Sequence, residues 1–121
     1  MSRSRPARLA LAQGLYYAAT GVWPLLHMRS FLAVTGPKTD RWLVKTVGGL
    51  IAVIGGVLVL AGARGRVTEE GQALGAGSAA FLAVVDTVYP LKGRISPVYL
   101  LDAVAEAGLV GAWARQAAGA E

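Results

Sequence analysis

The sequence contains no cysteine, a single histidine and few charged residues for its length. Without cysteine, the 121-residue chain has no disulfide, no thiolate metal site and no cysteine nucleophile. The single histidine, His27, excludes a metal site built from several histidines of one chain. Charged residues make up 16% of the chain, against about 25% in soluble domains. Hydrophobic residues make up 55%, and the mean hydropathy is +0.51. This composition predicts lipid as the solvent for much of the surface.

Catalytic and cofactor motifs are also missing from the sequence. The sequence shows no catalytic triad of nucleophile, base and orienting residue, no set of metal ligands and no cofactor motif. We therefore expect neither an enzyme acting alone nor a cofactor. Gly75 and Gly77 do not form a phosphate loop, because no Lys-Ser/Thr follows them. The net charge of +5 does not predict a nucleic-acid partner, because the basic residues lie in loops and at chain ends. Solvated membrane flanks account for them.

Four apolar windows of about 20 residues predict four membrane-spanning helices. The first follows several arginines, as the apolar region of a signal peptide does, but it continues through the bulky "YYAATGVWP". We therefore interpret it as a span and not as a cleaved signal. Short connections make the later helices antiparallel neighbours. We expect one domain over residues 1–121, an all-α, integral membrane, antiparallel four-helix bundle. The windows cover residues 7–27, 42–62, 70–89 and 97–117.

Capping residues mark the starts of the later helices. Thr39 and Asp40 can cap the second helix, and Thr68 the third, by accepting free backbone N–H groups. Ser96 followed by Pro97 predicts the start of the fourth helix. In the longer first connection, "RSFLAV" is expected to lie along the membrane interface.

The orientation of this bundle in a cell membrane is not determined by charge. Each side of the predicted membrane receives six basic residues, so the positive-inside rule returns a tie. A tie also fits a protein that inserts in both orientations. The two sets are Arg3, Arg5, Arg8, Arg64, Arg66 and Arg115 on one side, and Arg29, Lys38, Arg41, Lys45, Lys92 and Arg94 on the other.

The segment "YLLDAVAEAG" places Asp102 and Glu106 one helical turn apart in an apolar window. A charge at the centre of a bilayer costs about 2.5–3.5 kcal/mol, so such residues usually face the bundle interior. Asp86 lies near the end of its helix and Lys45 near the start of its own. Because the helices alternate in direction, both are on the same side of the bundle, about 6–8 Å into the helix. We therefore predict an internal cluster of Lys45, Asp86, Asp102 and Glu106.

Four further polar or aromatic residues are expected around this cluster, partly because Tyr17 and His27 share one face of the first helix. With three acids and one lysine, the cluster is acid-rich unless one carboxyl is protonated. A proton or a cationic ligand would balance the charge, and a purely structural ion-pair network is the alternative. The candidate ligand- or proton-binding residues are Glu106, Asp102, Asp86, Lys45, Arg41, Tyr17, Tyr99 and His27.

Small residues recur at helical-turn spacing in "GGLIAVIGG", residues 48–56. Such surfaces let helices approach closely in lipid, either within one chain or between two copies of it. The sequence predicts the face that contains Lys45, Gly49 and Gly56 to turn inward. Trp23, Trp42 and Trp113 are expected to anchor helix ends at the interface.

The segment "VGGLIAVIGGVLVLAG" (residues 47–62) resembles the second helix of DoxX-like small bacterial membrane proteins. "GLYYAATGVWPLLH" is similar to their first helix. The resemblance implies a four-helix membrane architecture and a family that includes subunits of membrane oxidoreductase complexes. DoxX-like proteins commonly have an acidic residue shortly before the double glycine, where this chain has Lys45. No catalytic residue follows from the resemblance.

Three functions remain open from the sequence. The first is a membrane protein whose inner cavity binds a small ligand or supports a membrane partner complex. The second is a small proton-coupled transporter of cationic or lipophilic compounds, and the third is a structural accessory subunit. A cavity of a few hundred Å³ that reaches Glu106 would favour binding or transport. A dry bundle with every acid paired would favour the structural role. The partners expected are the lipid bilayer and either a second copy of the chain or a partner subunit.

Overall fold

The computed structural model describes residues 4–119, and all regular secondary structure in this part of the chain is helical. Arg3, which entered the charge count above, lies outside the described residues. The prediction of an all-α fold is confirmed. Four long helices coincide with the four apolar windows to within a few residues, and a short helix joins the first two. The helices are α1 (Arg5–Leu26), α2 (Met28–Thr35), α3 (Arg41–Ala63), α4 (Glu69–Leu91) and α5 (Tyr99–Gly119).

Two of the three predicted caps form hydrogen bonds. The Thr68 hydroxyl accepts the N–H of Gly71 at 3.2 Å, and the Ser96 hydroxyl accepts the N–H of Val98 at 3.3 Å. Asp40 occupies the cap position of α3, but its side chain makes no capping bond. Its backbone (φ −96°, ψ 78°) lies outside the extended region that N-cap residues usually adopt, which explains the failed prediction.

The first connection folds back as α2 against the end of α1. His27 ends α1 and starts α2, where its Nδ1 accepts the N–H of Ser30 at 3.2 Å. The indole N–H of Trp23 donates to the Ser30 hydroxyl at 2.8 Å. The Trp23 ring also packs edge-to-face on Phe31, with 5.3 Å between ring centroids. The "RSFLAV" segment is therefore a helix held by the last turn of α1.

Helices α1 and α3 touch through a stripe of small residues that repeats every seven positions. A Cβ atom on Gly21 would lie 2.4 Å from the carbonyl oxygen of Gly48. One on Gly55 would lie 2.6 Å from that of Gly14, so the helices are antiparallel with their backbones in contact. A seven-residue repeat keeps such a seam continuous along two gently twisted helices. The stripe consists of Ala7, Gly14 and Gly21 on α1 and Gly48, Gly55 and Gly62 on α3.

The predicted inner face of α3 is wrong by one residue, or about 100° of helix rotation. Lys45 and Gly56 are exposed, and a Cβ on Gly49 or Gly56 would meet nothing within 4 Å. The pattern "GG…GG" presents two glycine stripes, and spacing alone does not distinguish them. The stripe that packs is the one that continues to Gly62, and this rotation leaves Lys45 exposed on the outside of the helix pair.

Helices α4 and α5 form the second antiparallel pair. A buried hydrogen-bond network joins this pair to α1. The Trp113 indole lies over Gly75, where a Cβ would come within 2.8 Å of it. Its N–H donates to Oε1 of Gln13 at 2.6 Å, and Nε2 of Gln13 donates to the Gly75 carbonyl at 2.9 Å. Trp113 is 3% exposed and packs with Ala10 and Leu58, so its prediction as an interfacial anchor is wrong.

Two of the helices, α3 and α4, are long and apolar enough to cross a membrane. In each of them only 17% of the most apolar 18-residue window is buried inside the protein. They therefore differ from the apolar core helix of a soluble domain, most of whose residues would be covered by protein.

Candidate functional site

Three carboxyl groups meet between α4 and α5. Asp86 comes from the last third of α4, and Asp102 and Glu106 come from the first half of α5. Each residue offers one oxygen, and the three oxygens lie within 4.8 Å of one another. Asp86 is 4% exposed and Glu106 is 1% exposed, whereas Asp102 is half-buried. The structure thus brings together the three acids that the sequence placed in one cluster.

Two neighbouring tyrosines of α1 donate hydrogen bonds to this cluster. The buried Tyr17 hydroxyl donates to Oε1 of Glu106 at 2.5 Å. The Tyr16 hydroxyl donates to Oδ1 of Asp102. Sequence reasoning selected Tyr17 and missed Tyr16, because adjacent residues of a helix point about 100° apart and only one fits a given stripe. The Tyr16 side chain is long enough for its hydroxyl to reach Asp102 from the neighbouring face of α1.

No basic side chain of the described residues pairs with the three carboxyls. Lys45 and Arg41 are exposed on α3 and do not line the space above the cluster, so their predicted places beside it are wrong. Oδ2 of Asp86 is buried and has no hydrogen-bond donor among residues 4–119. A buried carboxylate oxygen without a donor or counter-charge is costly. The cluster therefore has acceptors available for a proton or a cation.

A cavity of about 920 Å³ lies above the carboxyls, between the four long helices. It extends from Glu106 to the α2–α3 loop and the α4–α5 turn, whose residues 36–40 and 94–96 form its outer end. Aliphatic side chains from α3, α4 and α5 form much of the wall. The aromatic lining residues are Tyr16, Tyr17, Trp23, Phe31 and Tyr99.

Lys38 and Tyr99 lie together at the outer end of the cavity. The Lys38 ammonium is 5.1 Å from the centroid of the Tyr99 ring and 5.2 Å from that of Phe31, within the range of cation–π attraction. It also donates to the hydroxyl of Thr35 at 2.8 Å and to the carbonyl of Gly36 at 3.2 Å. Lys38 was not among the sequence candidates, because a lysine in a loop carries no periodic signal.

His27 lies outside this site. Its side chain is exposed, does not line the cavity and caps α2 through Ser30. Of the eight sequence candidates, the cavity therefore contains Asp86, Asp102, Glu106, Tyr17 and Tyr99, and excludes Lys45, Arg41 and His27.

The arrangement can hold a cation or a proton. Three carboxylate oxygens within 4.8 Å can converge on one hard metal ion, whose bonds to oxygen are about 2.0–2.6 Å long. They can equally accept the N–H groups of an ammonium ion. Comparison of the chain with protein-family models, with curated proteins and with solved structures finds no match. The function is therefore inferred from the geometry.

Proposed function

We propose that the chain is a multi-pass protein of the cell membrane. It has four membrane-spanning helices, and its internal cavity binds a small ligand. The observation that carries the proposal is a cavity of about 920 Å³ that ends on a buried carboxyl cluster. Ligand sites are typically clefts of about 300–1,000 Å³ with mostly apolar walls and a few converging polar groups. This cavity has that size and that distribution of groups.

The outward faces of all four long helices support four spans. Each helix has large apolar side chains that are at least half exposed, and lipid would cover them. Helices α1 and α5 are less apolar on average because they carry the tyrosines and the acids on their inner faces. Examples of such exposed side chains are Leu15 and Leu26 on α1, Val53 and Leu60 on α3, Phe81 and Val84 on α4, and Val104 on α5.

Two features favour ligand binding over the structural role and over transport. The cavity reaches Glu106, and Asp86 retains an unpaired oxygen, whereas a structural network would pair every acid. The half of the four-helix arrangement away from the cavity is closely packed. The Gln13 and Trp113 side chains are hydrogen-bonded there, and backbone contacts such as Gly62 on Ala7 bring α1 and α3 together. A transporter would need to open that half, where the buried Gln13–Trp113 hydrogen bond and the close backbone contacts hold the helices together.

Single-cysteine labelling tests the number of spans, since the chain has no cysteine of its own. Exposed positions at three helix ends, Arg64, Lys92 and Ala118, are replaced by cysteine one at a time. In proteoliposomes a membrane-impermeant maleimide is added before or after lysis. If α5 crosses the membrane, Ala118→Cys reacts from the same side as Arg64→Cys and from the side opposite Lys92→Cys. Arg5→Cys provides the matching test for α1.

An α5 that does not cross would put the label of Ala118→Cys on the side of Lys92→Cys, and the four-span proposal would be rejected. The cavity has its own test on α3. Val44→Cys lines the cavity and Val53→Cys faces outward, so a charged methanethiosulfonate should modify the first much faster than the second. Equal rates would mean that water does not reach the cavity as proposed.

A further inference from the structure

The inner end of the cavity has three carboxyl groups and no basic partner for them among the described residues. Tyr16 and Tyr17 supply the donors to Asp102 and Glu106, while Oδ2 of Asp86 has none among the described residues. Asp86 lines the cavity and is 4% exposed, so its carboxyl group lies in the cavity wall with Oδ2 on the buried side. A group that enters the cavity and donates N–H groups to the three carboxyls would supply the positive partner that they lack.

The basic residues that line the cavity do not supply that group. They are Lys38 and Arg94, both near the outer end beside the loop residues. The Lys38 ammonium is occupied by Thr35 and Gly36 and by its two aromatic neighbours. The outer end therefore carries Lys38, Arg94 and Asp40, whereas the inner end carries three carboxyls without a basic neighbour among the described residues, which favours a cation there.

The volume and the walls of the cavity favour an organic cation over a metal ion alone. One metal ion with its coordinating oxygens would use only a small part of about 920 Å³. The rest is surrounded by aromatic rings and by aliphatic residues such as Ile51, Leu82 and Val85. Aromatic faces attract cations as well as covering apolar groups. The position of Lys38 between two rings is an example of this attraction in the same cavity wall.

We propose that the ligand is an amphipathic amine, whose protonated nitrogen donates to the Asp86–Asp102–Glu106 cluster and whose hydrophobic body fills the aromatic part of the cavity. The inference rests on the proposed ligand-binding function and names the chemical class of the ligand. Because carboxylate oxygens accept N–H donors, an amine with N–H groups binds this cluster better than a quaternary ammonium of the same size. A neutral analogue binds least.

The test uses the full chain in nanodiscs of zwitterionic phosphatidylcholine, with protein-free nanodiscs as background. Binding is measured by equilibrium dialysis for three probes that share one ring system. They are 1-naphthylmethylamine, its N,N,N-trimethyl derivative and the neutral 1-naphthylmethanol. We expect the amine to bind at least tenfold tighter than the alcohol, with the quaternary ion between them. Asp86→Asn is expected to remove this preference, and Lys45→Ala, outside the cavity, to retain it.

The outcomes separate the inference from the function on which it rests. Equal binding of amine and alcohol would overturn the amine proposal while leaving a ligand cavity. Binding of Mn²⁺ that depends on Asp86 and that the amine does not displace would also overturn it, in favour of a metal site. If neither the probes nor Mn²⁺ bind the unsubstituted chain, the amine proposal and the proposed function both fail. Because the probe series is measured on the unsubstituted chain, the test does not depend on the stability of Asp86→Asn.

Discussion

Two adjacent glycines of α3, Gly55 and Gly56, should respond in opposite ways to the same substitution. A Cβ on Gly55 would lie 2.5 Å from the backbone nitrogen of Ala18 and 2.6 Å from the carbonyl oxygen of Gly14. A Cβ on Gly56 would meet nothing within 4 Å. Both substitutions make the same change in the same helix, so Gly56→Ala is a matched control for Gly55→Ala.

The expected magnitudes follow from these distances. Non-bonded heavy atoms prefer separations of about 3.5–4.0 Å, so Gly55→Ala requires α1 and α3 to separate locally by about 1 Å. Backbone atoms cannot rotate away as a side chain does. Overpacking of this kind typically costs about 1–3 kcal/mol. Alanine in place of glycine favours a helix by about 1 kcal/mol at either position, and at Gly56 no clash opposes this gain. Because this gain is common to both substitutions, the two free energies of unfolding should differ by the overpacking cost, about 1–3 kcal/mol.

The assay is unfolding in mixed micelles with a rising fraction of denaturing detergent, followed by helical circular dichroism. Gly55→Ala should unfold at a lower detergent fraction than the unsubstituted chain, and Gly56→Ala at the same fraction or a higher one. If the order is reversed, the stripe through Gly49 and Gly56 is the one that packs on α1. Equal effects would mean that backbone contact between the helices does not limit their approach.

Two further predictions concern buried hydrogen bonds, and the same unfolding assay measures both. Gln13→Leu leaves the buried Trp113 indole N–H without its acceptor and should cost about 1–3 kcal/mol. Gln72→Leu, at a half-buried position of α4, is the control, and an equal loss there would contradict the assignment. Tyr17→Phe removes the hydroxyl donor to a buried carboxyl and should cost about 1–3 kcal/mol. Tyr16→Phe should cost less, because Tyr16 is 37% exposed and water can replace it. The opposite order would refute this reasoning.

Much of the candidate site could be predicted from one helix at a time. Asp102 and Glu106 are one turn apart, so they share a face wherever the helix packs. Asp86 lies near the end of α4, and the short turn that follows returns α5 beside it. These relations depend on local spacing and on loop length, which the sequence contains directly. For this reason the three acids and Tyr17 were placed correctly.

The partners of these acids could not be predicted in the same way. Lys45 has the right depth in α3, but its direction depends on which of two glycine stripes contacts α1. Tyr16 reaches Asp102 from the side of the α1 face that contains Tyr17. A search for residues repeated once per helical turn does not include it. Lys38 reaches the cavity through a loop whose path is set by α2. Each of these positions follows from the rotation or path of a whole element and not from its own residue pattern.

The sequence by itself determined the helices, their order and the grouping of the acids, because these properties arise from local hydrogen bonding, periodicity and short connections. Only the tertiary structure decided the rotation of α3, the burial of Trp113 and the lack of a basic partner at the acids within residues 4–119. The physical reason is that two glycine stripes of equal spacing differ only in the backbone that each can contact. That contact exists only once α1 lies against α3.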